Sequence, residues 1–600
     1  MLKPRVLLSC LFAFAALAAQ AADPAFDRWA DGFAADWVRS NPQLATRTQY
    51  FAGAEQDALD RQLTLAGDWG NLYGLQAATA QADLARRGLG ELKQFSTANL
   101  SPAQRTSLAV IQWTLEESVA RVEFAQHQFV FEQIGGYHLG VVAFLTSGHP
   151  IRNARDAENY LARLAQVGAR IDEGIAEAKA AAANGILPPR FVLERVIGQV
   201  DGFVAAPAAQ NPLVATFDER LIELGAAVSA EARTKFVAAA TREVTDTVLP
   251  AYRRLRDLMA AQLPAATADD GVWRLPRGTE AYKHALAAST TTSLTADEIH
   301  AIGRREVARL EAEMDGILRK LGFTEGPVTA RVEQVNKSLA LPAEPDPRPI
   351  LLARVQEVVK DAGLRSVAAF DLRPVAPVIV KREPAFSEAS SAAHYTDPAP
   401  DGSTPGVYWL PLADLGPKVT WLGVGLKSTA YHEAIPGHHF QITIQQESKD
   451  LPRYRKLGIF GGNNAYIEGW ALYAERLADE NGWYEGDLPG RLGYLQLQIF
   501  RARRLVADTG IHAQRWTREQ VIDYGFTPQE AERYIVWPGQ ATSYMVGQLR
   551  ILELREQAKA ALGAKFSIKE FHNVVLRGGS LPLAVLAREI DAWVAATKAK

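Results

Sequence analysis

Cysteine is almost missing from this chain of 600 residues, which has Cys10 and no other. Cys10 falls inside an N-terminal leader, so the mature chain has no disulfide, no thiol nucleophile and no cysteine to hold a metal. Any metal must then rest on His, Asp or Glu. Charge of one sign is missing as well. The formal net charge is −3, becoming −5 when a leader carrying Lys3 and Arg5 is removed, which excludes the strongly basic surface that nucleic acid or an anionic membrane would ask for. No apolar run after the leader reaches the ~20 residues that span a bilayer. There is no G-x-S-x-G elbow, no Walker loop, no internal repeat and no complete dinucleotide fingerprint, Gly423-Val424-Gly425 being too short to count.

What is present is the composition of a soluble globular chain, 48% hydrophobic and 22% charged, long enough to bury several layers of core. Lys3 and Arg5, the apolar run Val6–Ala19 and Ala19-Gln20-Ala21 have the layout of a secretory signal, with the mature chain starting near Ala22. Leu7-Leu8-Ser9-Cys10 is similar to a lipoprotein cleavage site. Most of the apolar run follows Cys10, however, so cleavage after Ala21 and a periplasmic or secreted protein, free of the membrane in its mature form, are expected.

Residues 22–265 read as mostly helical. Ser101-Pro102-Ala103-Gln104 is a capping box, followed at helical spacing by Leu108, Ile111, Leu115 and Val119. Leu161, Leu164, Val167, Ile171 and Ile175 form a second stripe that ends at Asn184-Gly185. An intervening helical part, 266–371, contains the box Thr295-Ala296-Asp297-Glu298, with His300 expected at the surface. The character changes in 372–600. The stretch 373–381 is β-prone but interrupted by prolines, which fits an edge strand. A loop is expected over 383–405 and a further strand at 406–411, together a small sheet beside the motif helix. Thr527-Pro528-Gln529-Glu530 is a third capping box, and Trp537-Pro538-Gly539 stops that helix.

The chemistry gathers at His432-Glu433-Ala434-Ile435-Pro436-Gly437-His438-His439. In HExxH, two histidines four apart share a helix face and hold Zn²⁺, while the glutamate acts on water. Here position i+4 is Pro436. On a straight helix i+6 lies ~240° round and ~9 Å along, and i+7 lies ~10.5 Å away, too far for Zn–N bonds of ~2.0–2.1 Å to a shared ion. The helix must break. Pro436 has no N–H for the carbonyl of His432, and Gly437 accepts angles that other residues resist. Two inserted residues turn an i, i+4 pair into i, i+6, so His438 is the expected second ligand and His439 the runner-up. Glu468, in Tyr466-Ile467-Glu468-Gly469-Trp470-Ala471-Leu472-Tyr473-Ala474-Glu475, is the expected third. Glu475 would orient a ligand histidine or lie solvated.

The HEAIPGHH and EGWALYAE segments, with Asp508-Thr509-Gly510-Ile511-His512 and the stretch from Trp537 to Tyr544, resemble the domain-of-unknown-function 885 family, grouped with bacterial zinc metallopeptidases. The resemblance implies a mainly α fold, a large helical gluzincin-like metallopeptidase with a small β-sheet beside the active-site helix. It also implies two histidines and a glutamate on zinc, with Gly437-His438 matching the Gly-His pair of an HExGH core.

The expected activity is zinc-dependent hydrolysis of short peptides with Glu433 as general base. Tyr544 or His512 could donate to the oxyanion. His572 and the cluster Arg501, Arg503 and Arg504 are weaker candidates for substrate contact. A metal-dependent amide or ester hydrolase of small molecules, and a peptide-binding protein with a dead site, are the competing readings.

Overall fold

Local signals set most of the helix ends. The computed structural model describes residues 22–600 apart from 68–71, 340, 343–345, 385–387, 389–390, 400–401, 403, 413–417 and 420–421. The expected signal segment lies outside the described residues. Ser101 caps the helix Pro102–Arg121 with the reciprocal Gln104 bond in place, and Leu108, Ile111 and Leu115 are buried on one face. The second stripe lies on the helix Ala154–Ala183, which stops before Gly185 at positive φ. Thr295 and Glu298 form the full box of Ala296–Lys320. The third box is only half made. Thr527 accepts from the Glu530 amide, but the Glu530 carboxylate turns to Arg504 and Tyr534, so a tertiary ion pair displaces the local bond.

The fold is mainly α, as expected, with helices from distant parts of the chain sharing cores. Phe33 and Trp37 pack with Phe460, Tyr466 and Trp470, while residues between Val130 and Ala266 supply most of a second core. Among the described residues no helix is long and apolar enough to cross a membrane. His300 is buried with its Nδ1 on the Thr509 hydroxyl, which corrects the surface position expected from its place in a first turn.

A three-stranded sheet stands beside the motif. Its strands are β1 (Val378–Arg382), β2 (His394–Thr396) and β3 (Gly406–Leu410), in the order β1-β3-β2. β1 is an edge strand parallel to the central β3, pairing Val378 with Gly406. β2 is antiparallel to β3, pairing Tyr395 with Tyr408. It lies within the stretch expected to be loop: three residues in a Ser/Ala/Pro-rich context have no readable period, and their pairing comes from β3. Val380, Tyr408 and Leu410 cover Leu351, Val355, Ala430 and Ala434.

Six helices frame the site: α1 (Leu422–Glu433), α2 (His438–Glu447), α3 (Asn464–Glu480), α4 (Leu488–Ala513), α5 (Pro528–Val536) and α6 (Ser543–Leu562). α3 and α6 cross at glycine on glycine. A Cβ on Gly547 would lie 1.8 Å from the Ala465 carbonyl oxygen, and one on Gly469 would lie 2.6 Å from the Gly547 backbone. Neither helix can yield, because the obstruction is backbone on both sides. Gly547→Ala is therefore expected to destabilise the protein by ~1–3 kcal/mol or more through overpacking, seen as a lowered melting temperature; an unchanged melting curve would contradict the close crossing.

Candidate metal centre

The helix that begins at Leu422 ends at Glu433, and the next begins at His438. Between them the Ile435–Pro436 peptide is cis. Gly437 folds back so closely that a Cβ there would sit 1.8 Å from the His432 carbonyl oxygen. Only glycine fits. Trp470 on α3 fastens the turn from the other side, its indole Nε1 donating to the Pro436 carbonyl at 2.9 Å.

The break brings the two imidazoles together. Their ring centres are 4.8 Å apart and nearly perpendicular. Both Nε2 atoms face the Glu468 carboxylate, at 3.4 Å from His432 and 3.5 Å from His438. Ligand atoms of His432, His438 and Glu468 all lie within 4.8 Å of one another. Tetrahedral Zn²⁺ with bonds of ~2.0–2.1 Å holds its ligand atoms ~3.3 Å apart. The three side chains thus fit such an ion, and nitrogen with oxygen donors suit zinc.

Around this group stands a ring of supporting bonds. His432 Nδ1 donates to Glu475 at 2.8 Å, and Ser428 donates to the other Glu475 oxygen at 2.7 Å. Gln498 on α4 reaches the same carboxylate at 3.4 Å and is held in turn by Gln548 on α6. Glu475 is fully buried, so of the two places expected for it the structure gives the one behind the histidine. His438 Nδ1, also buried, has no partner among the described residues. Burial by itself would lower the pKa of His432, but the carboxylates of Glu468 and Glu475 raise it to about 9. Burial raises and the two histidines lower the pKa of Glu468, with the result well below the usual carboxylate range. Negative charge thus outweighs positive in a dry site, the electrostatics a cation satisfies.

Glu433 adjoins His432 yet stays outside the three-residue group. Its pKa is raised by burial, against the opposing charges of His432, His438 and Arg501. His439 turns the other way. Its Nδ1 meets the Tyr395 hydroxyl at 2.9 Å and Thr443 at 3.2 Å, its ring bonds the Ala376 backbone, and burial lowers its pKa to about 4. The histidine doublet therefore divides, one ring to the acidic group and one to the sheet.

The two oxyanion candidates fare differently. The Tyr544 hydroxyl meets Arg533 at 3.4 Å with Arg504 over its ring. His512 lies within α4 and not beside a turn, Gly510 being needed because a Cβ there would meet the Trp516 ring at 2.5 Å. Its Nδ1 accepts from the Val272 amide at 3.1 Å and its Nε2 donates to the Tyr534 carbonyl at 2.9 Å. Burial lowers its pKa to about 4. The imidazolium expected there is corrected to a neutral ring with both nitrogens spent on backbone. His572 is likewise bound on both sides, by Ala369 and Tyr473. Sequence reasoning passed over Trp470, Ser428 and Gln498. Ser428, four residues before His432, carried a helical-spacing signal; Gln498 carried none.

Fold and site together define a mainly α-helical protein in which a proline break brings two histidines to one glutamate. The chain belongs to the DUF885 family, described as bacterial protein of unknown function, over residues 48–590. No curated protein matches it. It is similar to a candidate lipoprotein from Colwellia psychrerythraea, with 30% identity and a TM-score of 0.84 over 95% of this chain and 99% of that one. A candidate lipoprotein of unknown function from Shewanella oneidensis shares the fold at 20% identity, with a TM-score of 0.68 over 95% and 99% of the two chains.

Glu475→Gln keeps the size of the side chain that holds His432 and removes its charge. Supporting carboxylates of this kind are worth ~10–100-fold in metal affinity. A loss in that range is expected when Zn²⁺ is titrated against a chelator; wild-type affinity would exclude Glu475 from the site.

Proposed function

We propose that this protein is a zinc-dependent peptidase acting on short peptides outside the cytoplasm. The observation that carries the reading is the convergence of His432 Nε2, His438 Nε2 and the Glu468 carboxylate at the spacing of a tetrahedral ion, with a buried carboxylate, Glu433, next in chain to the first histidine and outside the set. Bound Zn²⁺ supplies Lewis-acid chemistry, bringing the pKa of water toward ~7 and polarising a carbonyl. Every other task falls to this chain. His432, His438 and Glu468 hold the ion, and Glu475 keeps His432 in the tautomer that presents Nε2. Glu433 takes a proton from the attacking water and returns it to the leaving amine, so that hydroxyl ends on the acyl carbon and hydrogen on nitrogen. Burial favours that exchange, since a carboxylate with a raised pKa is a better base.

Peptide as substrate is supported by the sheet beside the motif, whose outer strands β1 and β2 each pair on one side only among the described residues. Such edges accept extended chains. Export is supported by the leader and by the lipoprotein descriptions of the two similar structures, which also bring Cys10 back as a point of lipid attachment.

Glu433→Gln is expected to keep its zinc and lose turnover by ~10²–10⁴-fold, the usual worth of general-base catalysis, in a digest of mixed peptides followed by mass spectrometry. Cleavage at the wild-type rate would reject the assignment, and chelator-sensitive hydrolysis of amides or esters without peptide cleavage would favour a small-molecule hydrolase. His438→Ala is expected to abolish tight zinc binding while His439→Ala retains it. The reverse pattern in metal analysis would move the ligand.

A further inference from the structure

Three arginines follow one another closely on α4, and two of them have acids of their own. Arg503 pairs with Glu311 at 3.1 Å and Arg504 with Glu530 at 3.0 Å. Arg501 has none among the described residues. Its Nε is buried without a partner, its Nη1 reaches only the Leu497 carbonyl of its own helix at 3.4 Å, and its guanidinium lies over the neighbouring Phe500 ring. A partly buried guanidinium with spare donors costs free energy unless an anion meets it.

The place of Arg501 in the fold says which anion. One turn earlier on the same helix, Gln498 bonds Glu475, the carboxylate that holds His432. α4 therefore packs behind the helix that bears His432 and Glu433, and Arg501 continues along that face. Its charge is felt at Glu433, yet the two form no ion pair, so the guanidinium stays free while standing beside the general base. Because Glu433 hands its proton to the leaving amine, a cation next to it stands on the leaving-group side of the scissile bond.

We propose that Arg501 receives the C-terminal α-carboxylate of the substrate, so that the enzyme acts on peptides close to a free C-terminus. Guanidinium and carboxylate match as a two-pronged, charge-assisted pair, and the pair fixes both the end of the chain and its register over Glu433. The inference rests on the peptidase reading and names the substrate class for the same site.

The test uses the full chain loaded with zinc and three tripeptides: N-acetyl-Phe-Ala-Phe as the free acid, the same peptide as its C-terminal amide, and N-acetyl-Phe-Ala-Glu as its C-terminal amide. Wild type is expected to favour the acid over the first amide by ~10–100-fold in kcat/KM, the worth of a hydrogen bond to a charged group. Arg501→Met erases that preference by slowing the acid alone, Arg501→Lys retains part of it, and Arg503→Met leaves it unchanged. Equal cleavage of acid and amide by wild type, or an equal loss for both in Arg501→Met, would overturn the proposal. Arg501-dependent cleavage confined to the glutamate amide would assign the carboxylate to a side chain and overturn the terminal assignment. Calorimetric binding of the acid and its amide to Glu433→Gln separates this from the peptidase reading. A preference for the acid that Arg501→Met removes would uphold Arg501 even where no peptide is hydrolysed, whereas equal binding of the two would reject it.

Discussion

The carbonyl of His432 is the constraint on which the site depends. In an unbroken helix it would accept from the amide four residues on; that residue is Pro436, which has no amide to give. The chain leaves the helix there, and the space is filled by Gly437, whose missing side chain lets the backbone return almost onto that same carbonyl. Trp470 then binds the carbonyl of Pro436. A ligand-bearing helix, α3, thus fastens the turn that brings the second histidine round. His432, His438 and Glu468 are tied by this one local geometry.

Around that turn, buried charge is arranged so that each group has a counterpart. Glu475 stands behind His432, with Ser428 and Gln498 on its second oxygen. Glu468 lies before both rings. The depth of Glu468 in the site is set by the contact of Gly469 with Gly547, since a closest approach between two backbones leaves α3 no freedom to shift along α6. A carboxylate on a helix so placed can meet two nitrogens without the entropy cost of searching for them.

Much of the frame was legible because its causes are local. Ser101 with Gln104, Thr295 with Glu298 and the stripe from Leu161 to Ile175 announce helices through bonds and spacings within a few residues. His438 was legible for a related reason, as Pro436 makes an ordinary helix impossible and bond lengths leave one economical repair. What could not be read is what distant residues decide. His300 and His512 look like any histidine near a helix end or a small-residue cluster until Thr509, Val272 and Tyr534 surround them. Glu530 belongs to a capping box by its spacing, yet spends its carboxylate on Arg504. β2 is a strand because β3 lies beside it, and Arg501 differs from Arg503 and Arg504 only in lacking an acid across a helix interface.

Breaking the helix also changes the field at its middle. Aligned peptide dipoles leave partial negative charge at the last carbonyls of a helix and partial positive charge at its first amides. α1 ends at Glu433 and α2 begins at His438 with no side chain capping it, so His432 lies at a negative pole and His438 at a positive one. A continuous helix bearing the same two rings would hold them at its centre, where these end charges are far away. The proline thus leaves a polarised gap between the two rings, its direction set by the chain itself.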